Sequence, residues 1–257
     1  MEKEGKYIYC IIESKQERNF GSIGIGERGD EVLTIGYDDL SMVVSNHPIP
    51  ASRLTANRAN MLAHQKAIEE VMKEFDSVLP VRFGTIASSA DEIRNLLDRR
   101  YKEFRNTLRD MDHKVELGVK GRWMDMGVIF NEIVEENEVI RNLRQRLQGK
   151  DVRDMQAKID LGQLVKEELD KKKQKQAEEI VDRLRITSCD YKLNKTYGDM
   201  NFMNAAFLVD KGREKEFDNI IDDLGDQYKA RMNFMYAGPL PVFNFVNIVI
   251  YPEEWEK

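Results

Sequence analysis

Leu79-Pro80-Val81-Arg82-Phe83-Gly84-Thr85 lies between two long amphipathic helix patterns, and its reading decides the fold class. Leu79, Val81 and Phe83 stand two apart, so in a strand they share one face and Arg82 takes the other. Pro80 lacks a donor N–H, which confines it to the start or the edge of a strand. Gly84 ends the run and Thr85 opens a new segment. A short strand held between two helices marks a mixed α and β layout. Its single cation has three readings: a structural residue, an anion site or part of a docking edge.

On the N-terminal side, Met61, Ala67-Ile68, Val71-Met72 and Phe75 recur at helical spacing, with Thr55 or Asn57 as the cap. Before that helix come three strand patterns: Tyr7 to Ile12, aromatic and β-branched and reading as a central strand buried on both faces, then Val32 to Ile35 and Leu40 to Val44. Asp38-Asp39 makes the turn between the last two, and Pro48 and Pro50 stop the sheet. The glycines at 21, 24, 26 and 29 read as a hairpin-like connection. Gly24-Ile25-Gly26 has neither the GxGxxG nor the P-loop spacing, and no helix opens after it. On the C-terminal side, Ser88 or Ser89 caps a helix whose stripe is Ile93, Leu96-Leu97, Tyr101, Phe104 and Leu108. The order βββαβα defines an N-terminal α+β domain over residues 1–112.

The remainder, 113–257, begins with a strand from Val115 to Val119 bounded by Gly121. Two long helices follow, one striped from Met126 to Leu147 and one from Asp151 to Arg185, forming a helical hairpin over 124–185, with Gly149 as the C′ residue of the first and Asp151 as the N-cap of the second. The polar run from Asp170 to Glu179 is expected to project as a solvated arm. Lys171 to Lys175 suggests nucleic acid only until its acidic neighbours Glu167, Glu168, Asp170, Glu178 and Glu179 are counted in; i,i+4 pairing on a solvated face is the better reading. Strands at Ile186–Leu193 and Phe202–Val209, a helix from Gly212 to Gly225 and a strand at Arg231–Tyr236 complete the order β-(αα)-β-β-α-β. The fold class is therefore α+β with two domains, the second a modified ferredoxin-like fold carrying a long helical hairpin. The tail, 239–257, is assigned to this second domain and is too apolar to be left in water; it is expected to pack back on the fold, within its own domain or across the domain boundary.

Composition narrows the function classes. With 257 residues, 41% hydrophobic and 33% charged, the chain can bury a sizeable core without disulfides. A net charge of -6 gives no electrostatic footprint for nucleic acid. No run approaches the ~20 apolar residues of a membrane span, and the charged N-terminus does not read as a signal peptide. Cys10 and Cys189 each sit in an apolar strand pattern and read as buried and reduced, which fits a cytoplasmic protein. The search for chemistry returns no HExxH, GxSxG, CxxC or P-loop. His47, His64 and His113 have no zinc spacing, and a lone helical histidine such as His64 reads as a surface or core-edge residue. No cofactor, metal or catalytic residue is expected, and the protein reads as a non-enzyme.

Four segments resemble one known family, that of the gas vesicle proteins F and L. Tyr7-Ile8-Tyr9 is similar to its opening strand. His64-Gln65 followed by Leu79 to Thr85 is the most specific match. Glu116-Leu117-Gly118-Val119-Lys120 resembles a Glu-aromatic-Gly-Val-Lys strand, with Leu117 in the aromatic place. Gly238-Pro239-Leu240-Pro241-Val242-Phe243-Asn244-Phe245-Val246 resembles the closing Gly-Pro-Trp-Pro-Pro-Tyr-Ser-Phe-Val, with Leu240, Val242, Phe243 and Asn244 as substitutions. The resemblance implies two α+β domains, the second a modified ferredoxin fold. It also implies an accessory protein that associates with the small hydrophobic shell protein and other accessory proteins, acts early in vesicle assembly, and in some cases stays as a minor constituent.

From these motifs the fold or interface candidates are Arg82, Phe83, Glu116, Lys120, Gly238, Pro239, Pro241, Phe243 and Phe245. Arg82 and Glu116 are polar residues in apolar strands and are expected in a buried or interdomain ion pair. The competing reading is a ferredoxin-like module that senses a small molecule at a sheet edge, with Arg82 as the anion anchor, alone or with Lys120.

Overall fold

The structure, a computed structural model, describes residues 3–26, 29–49, 54–148 and 155–250. The chain divides into two compact units, Met1–Glu116 with Pro239–Lys257, and Leu117–Gly238. The tail thus belongs with the first unit, not with the second as its place in the sequence suggested.

In the first unit, β1 (Lys3–Glu13), β2 (Leu33–Tyr37), β3 (Leu40–Ile49) and β4 (Val78–Pro80) form a sheet in the order β2-β3-β1-β4, and β5 (Ile86–Ala87) also pairs with β1. These pairings are antiparallel. Tyr7 to Ile12 are fully buried, as a central strand covered on both faces requires. β3 runs through Pro48, which faces Glu4 of β1. Beyond Val44 the strand has no ladder with β2, so Pro48 stands where β3 is paired on one side alone, and the sheet is not stopped there.

Helix α1 (Arg58–Met72) is capped by Asn57, whose side chain accepts from the Asn60 N–H at 2.8 Å, and it buries His64, Ala67, Ile68 and Val71. The single helix expected after Ser89 is two, α2 (Ala90–Arg99) and α3 (Tyr101–Asp110), separated at Arg100, whose ψ of 18° leaves the helical region. The buried stripe Ile93, Leu96, Leu97, Phe104 and Leu108 nevertheless continues across the break.

The second unit is built on β6 (Lys114–Trp123), α4 (Met126–Glu136), α5 (Glu138–Gln148), α6 (Met155–Leu184), β7 (Asp190–Leu193), β8 (Asn201–Asp210), α7 (Glu214–Tyr228) and β9 (Met232–Leu240), with sheet order β7-β8-β6-β9. β6 passes through Gly121, where the aromatic ring of Phe202 leaves no room for a Cβ. The first helix of the expected hairpin is broken at Asn137, which is extended and whose Oδ1 accepts from the N–H groups of Val139 and Ile140 at 3.0 and 3.1 Å. Asparagine there acts as the N-cap of a new helix. Gly149 and Asp151, the expected turn, lie outside the described residues. α6 is about 45 Å long at ~1.5 Å per residue. Its buried residues start at Leu169 and include Gln176, Ala177, Ile180, Val181 and Leu184. The polar stretch from Asp170 to Glu179 is therefore packed along one side and does not project.

Three of its four lysines are engaged within the unit: Lys171 with Glu168 at 2.8 Å, Lys172 with Glu132 and Glu136 at 3.0 and 2.9 Å, and Lys173 with the Gly198 carbonyl at 3.0 Å. The α7 helix passes Gly225, where it was expected to end, and continues to Tyr228. Cys10 is buried and burial raises its thiol pKa, whereas Cys189 is exposed, against expectation; both are free thiols. The 3-10 turn Arg185–Thr187 shortens β7 from the expected start at Ile186 and leaves Cys189 just outside the strand.

Candidate functional site

The motif residues of the first unit meet where the α1 helix, the end of β4 and the returning tail come together. The expected strand Leu79 to Thr85 ends early: β4 stops at Pro80, Val81 makes a single parallel bridge to Ile248 of the tail, and Gly84 turns the chain at φ +87°. That conformation is open to glycine at little cost. The turn is closed by Thr85, whose Oγ1 and N–H both donate to the Arg82 carbonyl, at 2.7 and 3.3 Å.

His64 organises the site. Its Nε2 lies 3.1 Å from the Val81 carbonyl, which only accepts, so Nε2 carries the proton. Nδ1 then accepts from the Tyr7 hydroxyl at 2.8 Å, and the Tyr7 oxygen accepts from the Gly84 N–H at 3.2 Å. One imidazole and one phenol thus tie both ends of the 81–84 turn to α1 and β1. The rings of Tyr7, Tyr9, Phe83 and Phe243 surround His64 at 5.6, 5.7, 5.7 and 6.0 Å between centroids. This apolar enclosure holds the imidazole pKa down at about 4 despite the Val81 bond, which pulls the other way. Burial likewise raises the Tyr7 and Tyr9 phenols above their ordinary value. Tyr9 is held by the Ile25 N–H at 2.8 Å and by Ser45 Oγ at 2.9 Å. With both nitrogens engaged and the ring neutral, His64 is a clamp; metal ligation or base chemistry would first have to break it. Among the described residues no group of three or more His, Cys, Asp or Glu is placed to hold a metal ion.

The tail is fixed by Glu116. The residue is 4% exposed, and its carboxylate accepts from the backbone N–H of Asn244 at 2.8 Å and from the Asn244 side-chain amide at 2.6 Å. Arg100 donates to the Val249 carbonyl at 2.8 Å while its guanidinium also pairs with Glu103.

Of the residues singled out in the sequence, Phe83, Glu116 and Phe243 come together here. Phe245 is half-buried in the same tail turn, its N–H donating to the Val242 carbonyl at 3.0 Å, and Pro241 is buried. Gly238 and Pro239 are exposed on β9. Arg82 is exposed and makes no ion pair among the described residues, so it is not in the expected buried pair: the early turn takes the strand alternation away from it. Lys120 is exposed on β6 in the other unit. The sequence reading missed His64 and Asn244. The signal for His64 was its position three and four residues before Ala67 and Ile68, on the buried stripe. For Asn244 there was none.

Comparison with known proteins places these motifs. The family model described as gas vesicle synthesis protein GvpL/GvpF matches residues 5–247. The chain is 26% identical over 253 residues to gas vesicle protein F1 of Halobacterium salinarum, covering 98% of this chain and 97% of that protein. It is 28% identical over 241 residues to gas vesicle protein F of a Streptomyces species, covering 93% and 98%. The crystal structure of the gas vesicle protein GvpF from an Anabaena species is similar with a TM-score of 0.79 at 21% identity, over 96% of this chain and 100% of that one. The GvpF structure from Microcystis aeruginosa gives 0.77 at 22%, over 95% and 99%.

Proposed function

The chain belongs to the gas vesicle synthesis protein GvpL/GvpF family, and from that membership we propose that it binds the small hydrophobic gas vesicle shell protein and assists the early, nucleating stage of vesicle assembly. The observation that carries this reading is the family match over residues 5–247, nearly the whole chain. Its coarser part, an accessory role in gas vesicle formation, follows from the family itself. The finer part has physical support. A protein destined for an apolar gas-facing layer exposes hydrophobic surface and strand edges until it is assembled, and an accessory protein with open sheet edges can cover them by strand addition. The sheet of the second unit ends in two such strands, β7 and β9, and in β7 all four residues are exposed.

Within the same reading, the second unit is a modified ferredoxin-like domain; its element order and its sheet order β7-β8-β6-β9 support this. The protein would work in the cytoplasm and on vesicles. No helix of the described residues is long and apolar enough to cross a membrane.

Co-expression with the shell protein tests the proposal. Co-purification, cross-links between the two chains and a higher vesicle yield are expected. Shell protein whose solubility and vesicle yield are the same with and without this chain would refute it.

A further inference from the structure

β9 is the last strand of its sheet, and Asn233 and Met235 to Gly238 are exposed along it. Two grooves of opposite character flank it within the second unit. On one face lies a cleft of about 290 Å³ whose floor includes Met203 and Met235 and whose charged groups are Lys120, Arg122 and Lys195. Lys120 and Arg122 are two apart on β6 and both exposed, so they project to the same side. Lys195 stands on the loop after β7, its ammonium 5.5 Å from the Tyr197 ring centroid. Asn201 and Asn204 hold that loop through the carbonyls of Tyr197 and Lys195. None of the three cations makes an ion pair among the described residues, in a chain whose net charge is -6.

On the other face lies a groove of about 670 Å³ with Met124, Phe234 and Tyr236 among its walls. Asp222 and Asp226, with Lys229 beside them, line its rim on α7. Tyr236 is laid against α7 by stacking on Phe217 and by donating to Asp218 at 2.6 Å.

We propose that the outer edge of β9 receives an extended segment of a partner protein in which carboxylate side chains alternate with apolar ones. A strand added to an edge sends successive side chains to opposite faces, so one segment fills both grooves at once. Carboxylates on one face meet Lys120, Arg122 and Lys195. On the other face Asp222 and Asp226 repel them, and apolar side chains lie against Met124 and Phe234. The two faces therefore set the register as well as the affinity. A free small anion is the poorer fit: the cationic cleft is at the lower limit of pocket size for buried small ligands, and such an anion leaves the second groove empty. Pro239 ends the row of donors, which limits the pairing region to the strand before it. The inference holds whichever vesicle protein supplies the segment, and its failure would leave shell-protein binding elsewhere on the molecule untouched.

The test uses the full chain and a labelled peptide of alternating Glu and Val, with Lys/Val and Glu/Ser peptides and free glutamate beside it. The Glu/Val peptide should bind saturably and the Glu/Ser peptide more weakly; the Lys/Val peptide should not bind. The double substitution K120E/R122E, at two exposed positions, should melt normally and weaken binding about tenfold. K195E, on the loop, gives a second variant should the first not fold. Raising salt from about 0.1 to about 0.5 M should also weaken binding. Amide exchange should slow at residues 233–237. No binding of the Glu/Val peptide, equal binding of Lys/Val, an unaffected charge-reversed variant, protection at β7 instead of β9, or displacement by free glutamate at the peptide's own concentration would each overturn the proposal.

Discussion

Both carboxylate oxygens of Glu116 are engaged by a single residue 128 positions further along the chain, Asn244, one through its backbone N–H and the other through its side-chain amide. Glu116 is the last residue of its stretch of the first compact unit, and Asn244 lies in the tail that returns to that unit. The pair therefore closes the unit at the point where the chain leaves it and comes back. A buried carboxylate needs such donors, because desolvation of an unbonded charge costs several kcal/mol. In this case they come from the segment being held.

Replacing Glu116 by Ala removes two charge-assisted bonds and should destabilise the protein by about 2–4 kcal/mol. The tail should loosen as well. Urea unfolding gives the first quantity, and limited proteolysis within residues 241–250 gives the second. E116Q keeps one acceptor but turns an amide donor toward a donor, so it should rank between the two. A variant E116A that melts and resists protease like the parent chain would show that the tail is held by other means.

The His64 clamp predicts a pH dependence whose sign is set by its depressed pKa. The folded imidazole is held at about 4, whereas the unfolded one titrates near 6.5. Between those values the unfolded chain takes up a proton that the folded chain refuses, so stability falls as pH drops from 6.5 to 4 and levels off below. The full shift corresponds to roughly 3 kcal/mol. Y7F removes the acceptor of the Gly84 N–H and should cost about 1–3 kcal/mol. Chemical denaturation of the parent and of H64Q across this range checks the slope; equal slopes in both would assign the titration to another group.

Much of the fold was legible because it rests on periodicity. The buried run Tyr7 to Ile12, the stripes of α1 and of the α2–α3 pair, and the strands around Val119 and Phe207 all follow from apolar spacing, as does the α and β alternation that the GvpF structures share. What periodicity hides is where an element breaks. Asn137 and Arg100 interrupt helices whose apolar stripes continue unchanged; Asn137 does so by capping the next helix with its own side chain, which leaves that pattern intact. The candidate site was half legible for the same reason. Glu116 stands out as a carboxylate in an apolar strand, but its partner is a neutral asparagine far along the chain, a contact that no local pattern encodes. From sequence His64 reads as a surface or core-edge residue, because its two bonds run to β1 and to the turn after β4, which are distant in sequence.

The exposure of Arg82 reverses the expectation drawn from its strand pattern. A side chain in water, with no ion pair among the described residues, contributes little to folding. R82A should therefore leave stability within about 0.5 kcal/mol of the parent. Thermal melting decides this directly. A large loss would restore the buried-pair reading, whereas a normal melt with reduced co-purification of shell protein would make Arg82 a residue of the partner surface.

In the second unit, Glu132 joins α4 to the start of β9 and to α6. Arg231 grips its carboxylate with both guanidinium nitrogens, one at 2.8 Å, and Lys172 reaches it at 3.0 Å. Arg231 is the main cause holding the carboxyl at about 2, well below the ordinary 4.5, with Lys172 adding to it. The folded pKa is lowered, so the stabilisation is complete above 4.5 and is lost as pH falls toward 2. The shift alone would imply roughly 3 kcal/mol, but the group is open to solvent, and screening reduces the expected contribution to about 1 kcal/mol. E132Q should therefore be less stable than the parent by about that amount at pH 7, with the difference closing between pH 4.5 and 2. This window overlaps that of His64 only between pH 4 and 4.5, and the two are separable by comparing E132Q with H64Q in acid titrations of stability. A difference that persists unchanged at the acid end would mean that Glu132 acts through packing and not through its charge.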